Sequence, residues 1–381
     1  MKKHYQYIIV GAGCAGLQLA KSLLQLSSNV VQSILLIDAS ATHEEKSWCF
    51  WYNKDHPYRH LVKKEWDAVQ FITDNYATTQ KIAPKSYQFI NSLDFYNDCI
   101  AYFATDSRIE ILHNTVLEIQ PHQQPIVVTN TDTFTCDTVF FTNPKLGFKA
   151  YPKTTIWQQF LGWTIETEVP TFDDTVATMM DFSIDNTKFI SFVYILPFST
   201  TKALVECTIF SDCLAEPTYY EAILGDYIAK KFTINYRITS KEHGKIPMQL
   251  PPSENALPNN IIPIGTAAGC IKASTGYSFV RAMMHTKEII NAITNQQVVG
   301  NRQFKKRFLF YDALFLNIIQ QAPNRMKYIF YKLFKYNTLR TVLQFLDEQT
   351  TLWQDALIFL HLPKMPFLNA LFRTHKQPNN D

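Results

Sequence analysis

Residues 7–10 (Tyr-Ile-Ile-Val) form a short apolar run that ends directly on Gly11-Ala12-Gly13-Cys14-Ala15-Gly16, and helical spacing follows over 17–26. This is a GxGxxG loop with a strand before it and a helix after it. A second apolar run over 33–37 then ends on Asp38. A βαβ unit of this kind is the most restrictive feature of the chain, because each glycine has a separate steric duty. The first makes the tight turn, the second lets backbone approach a pyrophosphate, and the third lets helix and strand pack closely. The helix N-terminus favours the phosphate charge, and an acid closing the second strand can accept from a ribose hydroxyl. Gly11, Ala12, Gly13, Gly16 and Asp38 are therefore the first candidate dinucleotide contacts. The spacing alone does not choose between FAD and NAD; the position at the start of the chain favours FAD.

A second element of the same kind lies at Ile262-Pro-Ile-Gly265-Thr-Ala-Ala268-Gly269. There a strand delivers small residues to a helix expected from about Gly276, and Gly265, Ala268 and Gly269 become candidates to meet a flavin ribityl chain and pyrophosphate. Between the two elements the chain is β-prone over 110–142 and reads as a hairpin over 189–196 and 203–210, turning at 197–202. From 301 to about 362 the pattern is helical, and 374–381 reads as a polar, disordered tail.

Composition narrows the function classes. A net charge of +3 on 381 residues is too small to argue for nucleic acid. The seven cysteines (14, 49, 99, 136, 207, 213, 270) are odd in number and form no CxxC, so they read as reduced thiols. No histidines stand at metal-ligand spacing, and no metal is expected. The first residues carry no hydrophobic signal core and no apolar run reaches a membrane span, so a cytoplasmic protein is expected. Aromatics reach 14%, which favours large apolar pockets. Residues 301–340 hold nine Lys or Arg against the single acid Asp312, together with ten Phe or Tyr. Basic and aromatic side chains combined on helices predict contact with an anionic lipid surface.

Several motifs in order along the chain resemble those of the lycopene cyclase family. They are Trp48-Cys-Phe50-Trp51 after Ser47, Met180-Asp181, the pair Leu196-Pro-Phe-Ser199 and Leu204-Val-Glu206-Cys-Thr208, then Gly244-Lys-Ile-Pro-Met248, Ser274-Thr-Gly-Tyr277, Phe345-Leu-Asp-Glu348 and Leu362-Pro-Lys-Met-Pro-Phe367. Two departures stand out: Cys207 replaces a second acid of the family, and Lys272-Ala273 replaces a more rigid X-Pro step. The resemblance implies an α/β flavoprotein of the aromatic-hydroxylase type, with a discontinuous Rossmann-like FAD domain (1–45, 100–150, 245–300). It further implies a β-sheet substrate domain (46–99, 151–244) and C-terminal helices (301–373).

The activity implied is lycopene beta-cyclisation, an isomerisation that closes β-ionone rings on lycopene or a related linear carotenoid by proton-initiated carbocation chemistry. Reduced FAD serves without net redox change, and NAD(P)H is the expected electron source. The implied setting is peripheral, on the inner face of the cell membrane and in contact with other carotenoid enzymes. Such chemistry needs a carboxylic acid kept protonated in an apolar pocket, and aromatic faces to stabilise a cation. Glu206 is the acid expected, with Asp181 as its assistant; Trp48, Phe50, Trp51 and Tyr277 are the expected walls. On these residues alone, a flavin monooxygenase or isoprenoid reductase, or a carotenoid-binding protein without turnover, stays open.

Overall fold

The protein is described by a computed structural model, covering residues 2–147, 156–184, 189–251, 257–300 and 302–374. Strand Lys3–Val10 pairs in parallel with Ile34–Asp38 on one side and Thr133–Phe141 on the other; Ile109–His113 and Ile261–Pro263 extend the parallel set. Two antiparallel strands, Ile126–Thr129 and Val116–Gln120, complete seven. Strands covered on both faces read as continuous apolar runs, which is why residues 7–10 and 34–37 show no polar alternation. One face is covered by helices Cys14–Leu24, Ser92–Phe103 and Phe279–Thr294, whose Leu17, Leu23, Phe95, Phe103 and Ile289 share a core with Ile9, Leu36 and Phe140. Ile119, Val127 and Phe134 join the core on the opposite face.

A second seven-stranded sheet runs in the order Tyr236–Met248, Ile156–Thr167, Lys202–Ser211, Ile190–Pro197, Val176–Asp181, Ala68–Thr73 and Tyr76–Lys81. All its pairs are antiparallel except Val176–Asp181 with Ala68–Thr73. The expected hairpin is its centre. Odd-numbered Val193 and Ile195, with Val205, Cys207 and Ile209, pack beneath helix Pro217–Phe232. Even-numbered Phe192, Leu204 and Phe210 face the C-terminal helices, where Ile318, Met326, Phe330, Phe334 and Val342 meet them. A three-stranded antiparallel sheet, Ser47–Asn53, Lys85–Asn91 and Val62–Trp66, supplies residues to the cores of both large sheets.

Two elements cross the boundaries expected from sequence. Helix Ser92–Phe103 begins inside segment 46–99, yet Phe95, Cys99 and Phe103, at helical spacing, pack into the core of the nucleotide sheet. Strand Tyr236–Met248 continues three residues past 245 because it pairs along the whole of Ile156–Thr167. Among the described residues the C-terminal region forms five α-helices, Lys306–Gln321, Met326–Tyr336, Leu339–Leu346, Leu352–Leu360 and Lys364–Thr374. Apart from Thr374, the expected polar tail lies outside the described residues. All seven cysteines are free thiols.

Candidate active site

The glycine loop does what its spacing predicts. Gly11 has φ +102°, and a Cβ on Gly16 would stand 1.9 Å from the Gly11 carbonyl oxygen, so helix and strand approach as closely as the third glycine allows. A Cβ on Gly13 would meet nothing within 4 Å, so the middle glycine faces open space. That space is a hollow of about 550 Å³ lined by Gly13, Cys14, Ala15, Thr142, Gly265 and Thr266, among others. The two small-residue elements thus converge on one site. Ala268 and Gly269 lie just behind it, Ala268 in a small core with Ala15 and Ala282. The Asp38 carboxylate accepts from the Ala12 amide at 2.5 Å and the Ser40 amide at 2.9 Å, which ties the end of the second strand to the glycine loop.

Cys14 and Ser278 are common to this hollow and to a neighbouring cavity of about 850 Å³. That cavity contains Trp48, Cys49, Tyr87, Tyr194, Leu204, Glu206 and Tyr277. Tyr194, Thr275 and Tyr277 in turn link it to an almost wholly apolar cavity of about 1020 Å³, between the second sheet and the C-terminal helices. The three spaces therefore adjoin one another along a path that runs from the glycine loop, past Glu206, to the apolar cavity. Two buried polar atoms on this path, Gln158 Oε1 and Thr275 Oγ1, have no protein partner. Their free valences and the open cradle at Gly13 fit an extended polar cofactor such as FAD.

Glu206 points into the cavity because strand alternation puts it on the same face as Leu204 and Thr208. The Thr208 hydroxyl donates to Glu206 Oε1 at 3.1 Å. Its cross-strand neighbours are Tyr194 on one side and Gly162 on the other. Gly162 pairs next with Glu242, a residue that sequence reasoning missed. With no side chain on Gly162, the two carboxyl groups stand close enough across it to shift one another. Burial first, and then the charge of Glu242, push the Glu206 carboxyl well above the usual carboxylate range. Burial raises Glu242 too, but donors from Ser47, including its amide at 2.9 Å, and the Lys46 ammonium oppose the rise. The signal available for Glu242 was its period-two spacing to Gly244 and Ile246, since Ile246 lines the same cavity.

The aromatic residues divide. Trp48 and Tyr277 line the cavity. The Tyr277 hydroxyl lies 2.9 Å from that of Tyr87, with Tyr194 beside them in the same cavity, and burial raises all three phenols. Phe50 stacks on Phe279 at 4.5 Å within the core of the nucleotide sheet. Trp51 stands behind Tyr277, at 4.4 Å edge to face, and its indole N–H forks onto both oxygens of Asp347 at 3.0 Å. Phe50 and Trp51 are thus packing residues rather than walls.

The expected partnership of Asp181 with Glu206 does not form. Asp181 pairs across the sheet with Val193, on the face beneath helix Pro217–Phe232. There it accepts from Ser183, from the Tyr227 hydroxyl at 2.6 Å and from Lys231 at 2.5 Å. Burial works against its charge, but these donors outweigh it and hold the carboxyl below its ordinary value. A bulge between Thr178 and Asp181 causes the reversal. Met179 and Met180 both reach the apolar tunnel, and the acid after them turns away.

Comparison with known proteins matches this architecture. The family model described as lycopene cyclase protein covers residues 6–372. The chain belongs to the lycopene cyclase family. Among solved structures, this cyclase-family fold resembles a geranylgeranyl bacteriochlorophyll reductase-like protein from Thermoplasma acidophilum, with 12% identity over 97% of this chain and 96% of that one and a TM-score of 0.57. It also resembles a flavoprotein/dehydrogenase from Cytophaga hutchinsonii, with 10% identity, 98% and 100% coverage and a TM-score of 0.58. A third likeness is to aklavinone-11 hydroxylase in complex with FAD and aklavinone, at 10% identity, 78% and 64% coverage and a TM-score of 0.57. At these identities the likeness is one of fold. A search of curated protein sequences returns no match.

Proposed function

We propose that this family member is a lycopene beta-cyclase that closes rings on a linear carotenoid by protonation from Glu206. The observation that carries this reading is the position of a buried carboxyl group, raised well above its ordinary range by burial and by Glu242, between an apolar cavity and the hollow at the glycine loop. Gly11, Ala12, Gly13, Gly16, Asp38, Gly265, Ala268 and Gly269 would hold FAD, and Gln158 and Thr275 would bond to it deeper in the cleft. When bound in its reduced form, with NAD(P)H as electron source, the flavin supplies electron density beside the reacting end without net redox change.

The chain's own residues account for the rest. The tunnel takes up the polyene and excludes water. Glu206 gives its proton to the terminal alkene, so that the O–H bond breaks as the C–H bond forms. The faces of Trp48 and Tyr277 stabilise the resulting cation, by about 0.5–2 kcal/mol each. A ring C–H then gives its proton back to the Glu206 carboxylate, which restores the acid and leaves substrate and product with equal mass.

Membrane contact is part of the same reading, but its basis differs from the one drawn from charge. Several cations of segment 301–340 are engaged within the fold: Arg302 with the Gly269 carbonyl, Lys305 with the Glu348 carbonyl, Arg307 with Asp355, and Lys327 with Asp74. The last two helices instead expose Leu352, Trp353 (72%), Leu360 and Met365, while Ile358, Phe359 and Phe367 of the same helices line the tunnel. An apolar surface backed by the tunnel wall suits uptake of a lipid-dissolved substrate from the inner face of the cell membrane, where other carotenoid enzymes would pass it on. Among the described residues, no helix is long and apolar enough to cross a membrane.

The test is expression in a lycopene-accumulating host, with chromatography and mass measurement of the pigments. Ringed product of unchanged mass is expected. A product two mass units or one oxygen heavier would replace the cyclase with a reductase or monooxygenase, and unchanged lycopene would leave a binding protein.

A further inference from the structure

Glu206, Gly162 and Glu242 stand in one row across three neighbouring strands, on the cavity face of the sheet. A Cβ on Gly162 would lie 2.8 Å from Leu204 Cδ1, 3.3 Å from Glu206 Cβ and 3.3 Å from Glu242 Cγ, so a side chain at 162 would crowd the leucine and both acids, and the bare backbone leaves that space to them. Two carboxyls this close in a buried site cannot both ionise cheaply, and they share a proton.

The surroundings decide where that proton rests. Glu242 receives the Ser47 amide and faces the Lys46 ammonium, which itself bonds to the His243 carbonyl. Glu206 faces Thr208, Tyr194, Tyr277, Cys49 and Leu204, on the strands and loop packed around it, and none of these brings a positive charge. The stable arrangement is therefore a protonated Glu206 that donates to an ionised Glu242.

Resting on the reading of Glu206 as the acid, we propose that Glu242 is a positioning residue, and that the two glutamates act across Gly162 as one proton-cycling pair. Glu242 fixes the rotamer of Glu206 and keeps it protonated at neutral pH. When the Glu206 O–H breaks and the alkene C–H forms, two carboxylates are left side by side. Their repulsion makes the pair a strong base, poised to recover the proton released from the ring carbon. Protons balance over the cycle, and no oxidant or reductant is consumed.

The experiment uses the full chain loaded with FAD and compares wild type with E206Q, E242Q and E242D. Two quantities are followed against pH: the rate of ring formation, and the infrared C=O stretch of a protonated carboxyl group. E206Q should lose roughly 10²–10⁴-fold in rate and should lose the carboxyl band. E242Q should keep FAD and the band at low pH. Loss of the neighbouring charge should then move the pH at which band and rate fall to lower values. On the alkaline limb the rate should drop about tenfold for every pH unit by which that midpoint moves. E242D should restore part of that limb. A wild-type rate and an unmoved limb in E242Q would overturn the pairing and leave Glu206 as a lone acid, whereas an active E206Q would overturn the underlying assignment instead. If E242Q does not fold, G162A gives the second reading, because its methyl group presses on both acids, and on the flexible end of Leu204, while keeping both carboxyl groups. The same downward move of the limb is expected there, and a wild-type limb would refute the pair.

Discussion

The two faces of the second sheet each carry a buried carboxylic acid, and the two acids are held in opposite states. Beneath helix Pro217–Phe232, Asp181 meets a cation, a phenol and a serine, and is kept ionised. On the cavity face, Glu206 meets a threonine, two tyrosines and a second carboxyl group, and is pushed toward the protonated form. Burial opposes the charge on both faces, so burial alone does not set the outcome; the partners do. The helix-facing acid is satisfied and structural. The cavity-facing acid has no cation among the groups that shift it.

The sharpest way to break this contrast is to neutralise one acid at a time. Glu206→Gln should reduce ring formation by roughly 10²–10⁴-fold with FAD content unchanged, whereas Asp181→Asn should leave activity per folded molecule near wild type. Equal losses in the two variants, measured as product per bound flavin, would erase the distinction between the faces. Gly13→Val should be comparably severe for a different reason. A branched side chain would fill the open space at the glycine loop, and the purified protein should come out without bound flavin, which its absorbance would report.

Stability should show the same contrast with the opposite order of sensitivity. Asp181→Asn should cost about 1–3 kcal/mol in denaturant unfolding, because Lys231 loses its partner and a buried donor set loses its acceptor. The pH dependences have opposite signs. Asp181 is depressed in the folded state, so its contribution is present above its unfolded pKa and is lost as pH falls through the folded value. Glu206 is raised, so its contribution is present below its unfolded pKa and is lost as pH rises through the folded value. Wild type and Asp181→Asn should therefore converge in stability in strong acid, while Glu206→Gln should gain on wild type as the solution becomes alkaline. Parallel stability curves would contradict the assigned protonation states. The smallest effect expected is at the outer surface: Trp353→Ala with Leu360→Ala should weaken sedimentation with liposomes while leaving the fold intact, and no change would exclude this surface as the membrane contact.

Much of the site was legible because it depends on local rules. A glycine loop between strand and helix needs only nearby residues, so Gly11, Gly13, Gly16 and Asp38 came together where spacing placed them. Alternation along a regular strand likewise put Leu204, Glu206 and Thr208 on one face. It also places Cys207 on the opposite face, buried beneath the helix. Asp181 was misjudged because a bulge breaks the alternation just before it, and no residue in Met179-Met180-Asp181 announces a bulge. Among the aromatics, Trp48 and Tyr277 reach the cavity while Phe50 and Trp51 pack behind it; four large rings in similar company carry no mark of which side they will face.

The sequence by itself determined the nucleotide-type βαβ unit, the family and the face of the sheet on which Glu206 stands, because each follows from short-range spacing or from motifs in order. Only the tertiary structure decided which second acid stands beside Glu206. Glu242 is 36 residues away along the chain and is brought alongside by the pairing of both strands with Ile156–Thr167, where Gly162 leaves the gap between them open. A pairing register is a property of three strands at once, and no one strand encodes it.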